Sequence, residues 1–386
     1  MKKSTLSFFL FIYVLCNPPF LSYSSAQQRF RVVSYNVENL FDTQDNPEKD
    51  DNDFLPSGNR FWNNTRLYRK IQQIAKVIIA TGGWEAPALV GLCEVENDSV
   101  LFRLTHQTAL HSLDYRYIIT NSPDNRGINV ALLYQRDVFR YLKHNSIPIH
   151  FKKKKQKKTR DILHVQGKIT TGDTLDVFVC HFPSRYGGEK ESEQKRLDAA
   201  YTLKRACDSI ERQRQFPLIL IMGDFNDTPK NKSIRRILSA QPLSNNTNST
   251  TDKYFNLFAH TRKKGIQGSH KYHGEWSQLD HIIIHKNLIA PYSPFQLIPE
   301  SIQIFTPSFL LTTDKTWRGV RPLRTFYGFK YEGGFSDHLP IIADFSTKIP
   351  SQSTDKISHN RQFTISNSQN TKEDQIKTEN DSPSFF

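Results

Sequence analysis

The chain has 386 residues, of which 37% are hydrophobic and 12% aromatic. That is enough for one large core or two smaller ones, and it excludes wholesale disorder, collagen and a coiled coil. Four cysteines exclude a small disulfide scaffold, and 52 basic against 38 acidic residues (+14) favour phosphorylated or polyanionic partners without proving one.

Residues 1–26 read as a secretory leader. Lys2 and Lys3 precede a short apolar run, and small Ser24 and Ala26 stand before Gln27. The run is too short to span a bilayer, so no transmembrane segment is expected in the mature chain. An exported protein would be periplasmic or extracellular. Removal of the leader would leave Cys93, Cys180 and Cys207. Three thiols cannot all pair, and two lie in apolar runs, so buried free thiols are expected.

Short runs rich in β-branched residues, bounded by Gly, Pro, Asn or Asp, predict strands at 30–35, 88–94, 115–120, 128–134, 174–181, 217–223, 279–285 and 339–345. Helices are predicted at 66–80, with Leu67, Ile71, Ile74 and Ile78 on one face and a stop at Gly82-Gly83. A second, at 189–213, has Leu197, Ala200, Tyr201, Cys207 and Ile210 on its apolar face, and a shorter one is predicted at 232–239. Mixed strands and helices make an α/β or α+β layered domain over 27–346, with no repeat and no evident interdomain linker. The lysine-rich run 151–160 reads as a loop between strands, either a phosphate-backbone contact or a solvated tip. The aromatic stretch 291–309 could touch a membrane or lie in the core. Residues 347–386 are polar, carry five basic and five acidic residues, and read as a disordered tail. The body between leader and tail holds 45 basic and 33 acidic residues, so the excess of +12 belongs to it.

Polar residues recur at the ends of the predicted strands: Asn36, Glu94, His181, Asp224, Asn226, Asp280, Asp337 and His338. Each has an ordinary explanation alone. Asn36 can cap a strand, and Asp224 with Asn226 can form an Asx turn. A carboxylate on an apolar strand is costly unless paired or metal-bound, which singles out Glu94, with Glu96 as its rival. A carboxylate beside a His fixes the tautomer and stabilises the imidazolium. Arg126 and Arg185 are candidate phosphate contacts, Arg126 being equally a turn residue. Six acids within 42–53 lack the spacing of an EF-hand, leaving a Ca²⁺ site or a solvated loop.

Together NVENL, EVEN, CHFPSR, GDFND, LDHI and SDHLP, in that order over residues 31–345, resemble the endonuclease/exonuclease/phosphatase (DNase I-like) superfamily. The segments SHKYHGEWSQLDH and RTFYGFKYEGGFSDHLP are especially similar to its secreted bacterial members. The resemblance implies a four-layer sandwich of two packed β-sheets flanked by helices. It also implies phosphoester hydrolysis by in-line attack of an activated water, with Mg²⁺ or Mn²⁺ held by Glu94 and Asn36 and supported by Asp337. By the same resemblance Asp280–His338 is the activating pair, Asp224 lies on the proton path, Asn226 orients the phosphate, and His181 binds phosphoryl oxygens or assists the leaving group. The acidic partner that some members provide for the upstream His is not identifiable here.

The leading expectation is a secreted nuclease that acts as a monomer, since the basic body suits nucleic acid. The alternatives are a phosphodiesterase or phosphatase for lipids or small phosphoesters, or an inactive binding protein on the same fold.

Overall fold

The computed structural model describes residues 28–152, 158–243, 252–260 and 265–347. The expected leader, residues 153–157 of the lysine run and the tail from 348 onward lie outside them. In chain order the elements are β1 (Gln28–Leu40), α1 (Asn64–Gly82), β2 (Leu89–Val95), α2 (Asp98–His106), β3 (Arg116–Ile119), β4 (Asn129–Tyr134), β5 (Phe139–Ile147), β6 (Ile162–Ile169) and β7 (Thr174–His181). Next come α3 (Glu189–Gln213), β8 (Leu218–Asp224), β9 (Ala240–Pro242), β10 (Tyr254–Asn256), β11 (His270–Tyr272), β12 (Glu275–Ser277) and β13 (Asp280–His285). The chain then forms β14 (Phe295–Ile304), β15 (Leu311–Thr313), β16 (Val320–Pro322), β17 (Phe326–Tyr327), β18 (Lys330–Tyr331) and β19 (Ile341–Thr347).

One sheet has the order β14-β19-β1-β2-β4-β3 and the other β5-β6-β7-β8-β13-β10-β9. They pack face to face, because alternation along each central strand gives both faces apolar residues. On β8, Leu218, Leu220 and Met222 join the core shared with the first sheet, whereas Ile219 and Ile221 join the cluster under α3. Helix α1 covers the outer face of the first sheet with Leu67, Ile71, Ile74 and Ile78. Its start is fixed by Asn63, whose side chain accepts from Arg66 N, and it ends at Gly83 with φ 73°. The result is the helix–sheet–sheet–helix sandwich expected for this class.

On α3 the expected Ala200, Cys207 and Ile210 are buried, but the rest of the face differs. Tyr201 is exposed and Leu197 half-buried, while Ala199, Leu203 and Arg196 point inward. A cation occupies the buried face because Asp227 receives it there, with Nε to Oδ1 at 2.6 Å. The expected helix at 232–239 is a single π turn, Ser233–Ile237. The stretch 291–309 contains edge strand β14, whose Phe295 is buried and stacks on Phe345 at 4.7 Å. Thr347, expected to open the tail, closes β19 opposite Gln28. Cys93, Cys180 and Cys207 are buried free thiols.

Gly223 sets the spacing at the end of β8. Its φ is 137°, and a Cβ there would stand 1.9 Å from Cys180 O. Gly223→Ala is therefore expected to misplace the following Asp224 and to destabilise the fold by several kcal/mol, typical of strain combined with overpacking. Urea unfolding checks this, and an unchanged midpoint would remove the argument.

Candidate active site

Strand register brings the strand-end residues together. Across three neighbouring strands, His181 pairs with Asp224 and Asp280 pairs with Asp224. These three therefore share one row and one face, continuing the inward-facing row of Val179, Met222 and Ile282. In the opposite sheet Asn36 pairs with Cys93, two residues beyond the Ser34–Gly91 pair. A Cβ on Gly91 would meet Met222 Sδ at 2.7 Å, so this face of β2 abuts the other sheet. Both rows end at the same edge of the sandwich, where apolar packing gives way to a cleft.

Strict alternation would turn Glu94 away from Cys93 and out of that cleft. The backbone prevents it: Glu94 has φ 65° and the register shifts between Cys93 and Val95. Its Oε2 accepts from Asn39 N at 2.9 Å, and Asn39 and Glu38 also have positive φ. Two consecutive left-handed non-glycine residues bonded to a third on the next strand are costly, and such strain gathers at functional sites. Glu96 has a structural role: it is buried and accepts from Asp42 N at 2.6 Å.

Asn36 Nδ2 donates to Asp224 Oδ2 at 3.1 Å and lies 3.4 Å from Glu94 Oε1. Asp224 Oδ2 is also 3.7 Å from His181 Nε2 and 3.8 Å from His338 Nε2. On its far side His338 Nδ1 bonds Asp280 Oδ2 at 2.7 Å, and Ser269 Oγ donates to the same oxygen at 2.5 Å. Ser336 accepts from His338 N and donates to Asn36 O at 2.6 Å, tying the last loop to β1.

Burial lifts the Asp224 carboxyl to about 7, despite the opposing effect of His338. Burial works against a charged His338, but Asp280 and Asp224 outweigh it and hold the imidazolium well above its ordinary range. Burial, helped by Arg160 and Arg126, keeps His181 neutral. One site thus holds a poised carboxylate, a cationic imidazole and a neutral imidazole.

Not every expected residue is placed as anticipated. Asn226 N bonds Asp224 Oδ1 at 2.8 Å, but its side chain donates to Phe182 O, so it braces the turn. Arg185 was a candidate phosphate contact. Its Nε instead donates to Asn226 O at 2.7 Å in the turn after β8, and its Nη1 donates to the Glu189 carboxylate at the start of α3. Asp337 pairs with Arg324 at 2.7 Å, which pulls its carboxyl well below the ordinary range against the cost of burial. Arg126 stands 3.8 Å from Glu94 and bonds Asn39, so it does face the cleft. His181 Nδ1 finds no partner among the described residues, which agrees with the missing acidic partner. In the acidic run, Asp42 and Asp53 accept from neighbouring side chains, and among the described residues no three of its acids converge as a cation site would require.

Sequence reading missed Arg324, His270, Arg160 and Ser269. Arg160 donates to Phe182 O beside His181, and His270 lies with its ring 4.6 Å from His338. SHKYHGEW and RTFYGF carried the signal for three of them, but no spacing rule assigns those positions a task.

A hard divalent cation fits the Glu94–Asn36 end. Glu94 supplies carboxylate oxygens there and the nearest cation to it is 3.8 Å away, while Asn36 would offer an oxygen only with its amide turned, since its Oδ1 accepts from Glu38 N at 3.0 Å. Tighter triplets surround His338, namely Asp224–Asp280–His338 and His270–Asp337–His338. They are the poorer seat, because His338 Nδ1 is committed to Asp280 and Asp337 to Arg324.

Sheets, cleft and donor set define a phosphoester hydrolase of the metal-dependent kind. Residues 31–347 match the Endonuclease/Exonuclease/phosphatase family, and the chain belongs to that family. No curated protein sequence matches it. Among solved structures it is similar to an endonuclease/exonuclease/phosphatase family protein from Bacteroides thetaiotaomicron (15% identity, TM-score 0.53, 84% of this chain and 99% of the other). It also resembles a mannosyl-6-phosphatase from the same organism (16%, 0.52, 82% and 99%) and the sulfate-bound catalytic domain of human Nocturnin (15%, 0.51, 83% and 97%). At these identities the likeness concerns the fold.

Away from the reacting groups, fully buried His281 accepts at Nδ1 from Asn256 Nδ2 at 3.2 Å and donates from Nε2 to Asp227 O at 2.9 Å. Burial lowers it to about 4 from 6.5. The unfolded chain then binds the extra proton between those values, so stability is present above pH 6.5 and lost as pH falls to 4. The advantage of wild type over His281→Gln is expected to shrink by about 3 kcal/mol across that window. Denaturant midpoints at both pH values measure it, and a constant difference contradicts a neutral buried imidazole.

Proposed function

We propose that the cleft cleaves phosphodiester bonds of nucleic acid by attack of water in line with the leaving oxygen. The observation that carries this reading is the placement of Asp224 between His181 and His338, with Asn36 linking it to Glu94. Glu94 and Asn36 would hold Mg²⁺ or Mn²⁺, which when bound neutralises charge on the phosphoryl group. Asp224 accepts the proton of the attacking water, since a carboxyl titrating near neutrality suits a general base. His338, held cationic by Asp280 and Asp224, stabilises negative charge on the non-bridging oxygens. Neutral His181 donates a hydrogen bond to the same group. His338 is thus the phosphate-facing cation rather than the activator of water. Arg126 contacts the flanking phosphate.

Nucleic acid is favoured over a neutral headgroup by the +12 charge of the body. The likeness to a mannosyl-6-phosphatase supports a small sugar phosphate as the second reading. The leader supports export of the mature chain, and among the described residues no helix is long and apolar enough to cross a membrane.

The test is plasmid nicking by residues 27–386 with Mg²⁺, Mn²⁺ or EDTA over a salt series. Metal-dependent nicking that weakens steeply with salt is expected. Absence of nicking together with turnover of sugar phosphates would transfer the assignment to the second reading.

A further inference from the structure

Beside the cleft, β11–β12 and β15–β16 bring two hairpin tips together around a cavity of about 200 Å³ lined in part by Arg324 and Asp337. The first tip grows directly from the catalytic row. His270 forms a β-bridge with His338, and two residues later Tyr272 stands on the rim. His273 then stacks on Tyr272 at 4.0 Å and 15°, and Trp317 of the second tip lies 5.4 Å from His273. These rings are not filling a core: Tyr272 is 65% and Trp317 48% exposed.

The arrangement is built rather than incidental. His273 has φ 47° and Gly274 φ 86°, the two left-handed positions of a tight hairpin turn. A Cβ on Gly274 would come within 3.1 Å of Trp317 Cβ, so glycine lets the indole approach. Lys271 locks the tips, its Nζ donating to Asp314 Oδ2 at 2.8 Å, Arg318 O at 3.0 Å and Val320 O at 3.1 Å. Asp314 in turn accepts from Trp317 N at 2.9 Å.

The charges in the cavity are already matched. Lys271 is neutralised by Asp314, Arg324 by Asp337, and Arg321 by Glu332 at 2.8 and 2.6 Å. Among the described residues lining the cavity, a second phosphate would find no unpaired cation. A polyhydroxylated ring would find the carboxylates already engaged. What stays open is π surface, next to a site that holds a phosphoryl group.

We propose that this cavity is a stacking subsite for the nucleobase attached to the phosphodiester being cleaved. The proposal rests on the reading of the cleft as a nucleic-acid phosphodiesterase and adds where the base is held. Base–aromatic stacking corresponds to roughly tenfold in affinity per base.

The experiment compares a dinucleotide with the same dinucleotide made abasic on one side, in Mg²⁺. The enzyme is wild type, Trp317→Ala and Tyr272→Ala, each checked for native circular dichroism. Wild type should prefer the base-bearing diester by roughly tenfold in kcat/KM. Each variant should lose that preference while keeping abasic turnover. A preference that survives both variants, or equal loss on both substrates, overturns the subsite. A second arm titrates wild type in EDTA with adenosine 5′-monophosphate and ribose 5-phosphate, following the heat of binding by calorimetry. Tighter binding of the nucleotide that disappears in Trp317→Ala supports the subsite even if neither diester is cleaved, in which case only the reading of the cleft fails. Equal binding of the two ligands overturns the subsite directly.

Discussion

His338→Ala is expected to lower kcat by roughly 10²–10⁴, with a much smaller change in KM. His338 is buried, its Nδ1 is held by Asp280 at 2.7 Å, and its Nε2 points at the Asp224 carboxylate 3.8 Å away. Its charge is therefore aimed into the cleft, where negative charge gathers on phosphorus oxygens during attack. The fold should survive, because Asp280 keeps Ser269 and Asp224 keeps Asn36 and the backbone N of Asn226. Asp280→Asn gives the companion result. It retains the shape but withdraws the charge that stabilises the imidazolium, so turnover should fall by a smaller factor. Steady-state kinetics on a soluble phosphodiester decides this. Near-normal kcat in His338→Ala would sink the assignment.

The largest stability effect is expected at Arg196, far from any substrate contact. Its side chain is fully buried on α3 and donates to Asp227 Oδ1 at 2.6 Å, Ser192 Oγ at 2.7 Å and Glu189 O at 2.8 Å. Asp227 also accepts from Ser233 at 2.6 Å, and its backbone O faces His281. Arg196→Met leaves that buried carboxylate only the more distant Arg185, 3.8 Å away, and breaking such a pair costs about 3–5 kcal/mol. The double change Arg196→Met/Asp227→Leu should recover most of the loss, since two apolar groups of similar size need no compensation. Urea denaturation of the three proteins tests both statements, and a single variant within 1 kcal/mol of wild type, about the worth of a surface pair, would show that the pair is dispensable.

The helix face at Arg196 marks the limit of pattern reading. Periodicity puts apolar residues inward and charges outward, and it served well for α1, where Leu67, Ile71, Ile74 and Ile78 are all buried. On α3 it held for Ala200, Cys207 and Ile210 but missed Arg196, because a buried cation is tolerable only with a partner, and Asp227 lies 31 residues away in sequence. Strand β5 was missed for a related reason. Strand β5 is an edge with Arg140 to Ser146 largely exposed, so it lacks the apolar run that announces a strand.

The site was legible to a different degree residue by residue. Asn36, His181, Asp224, Asp280 and His338 were readable because each stands at or near the end of an apolar run that betrays itself by composition, although β1 runs on past Asn36 to Leu40 and β19 starts only at Ile341. Glu94 over Glu96 was not decidable by alternation, since a single left-handed residue inverts the side to which the carboxylate points. Arg185 could not be told from a phosphate ligand, because which acceptors surround a guanidinium depends on chain segments brought in from elsewhere.

By itself, then, the sequence determined the layered α/β class, the strands that carry the reacting groups, and the chemical kinds of those groups. All of these follow from local composition, periodicity and the ends of apolar runs. Only the tertiary structure decided the direction of Glu94, the bracing tasks of Asn226 and Arg185, the diversion of Asp337 to Arg324, and the meeting of two hairpin tips beside the cleft. The physical reason is that side-chain direction and partnership are set by register and by backbone twists between distant strands. A one-residue bulge or a remote carboxylate changes them without leaving a mark in the local pattern.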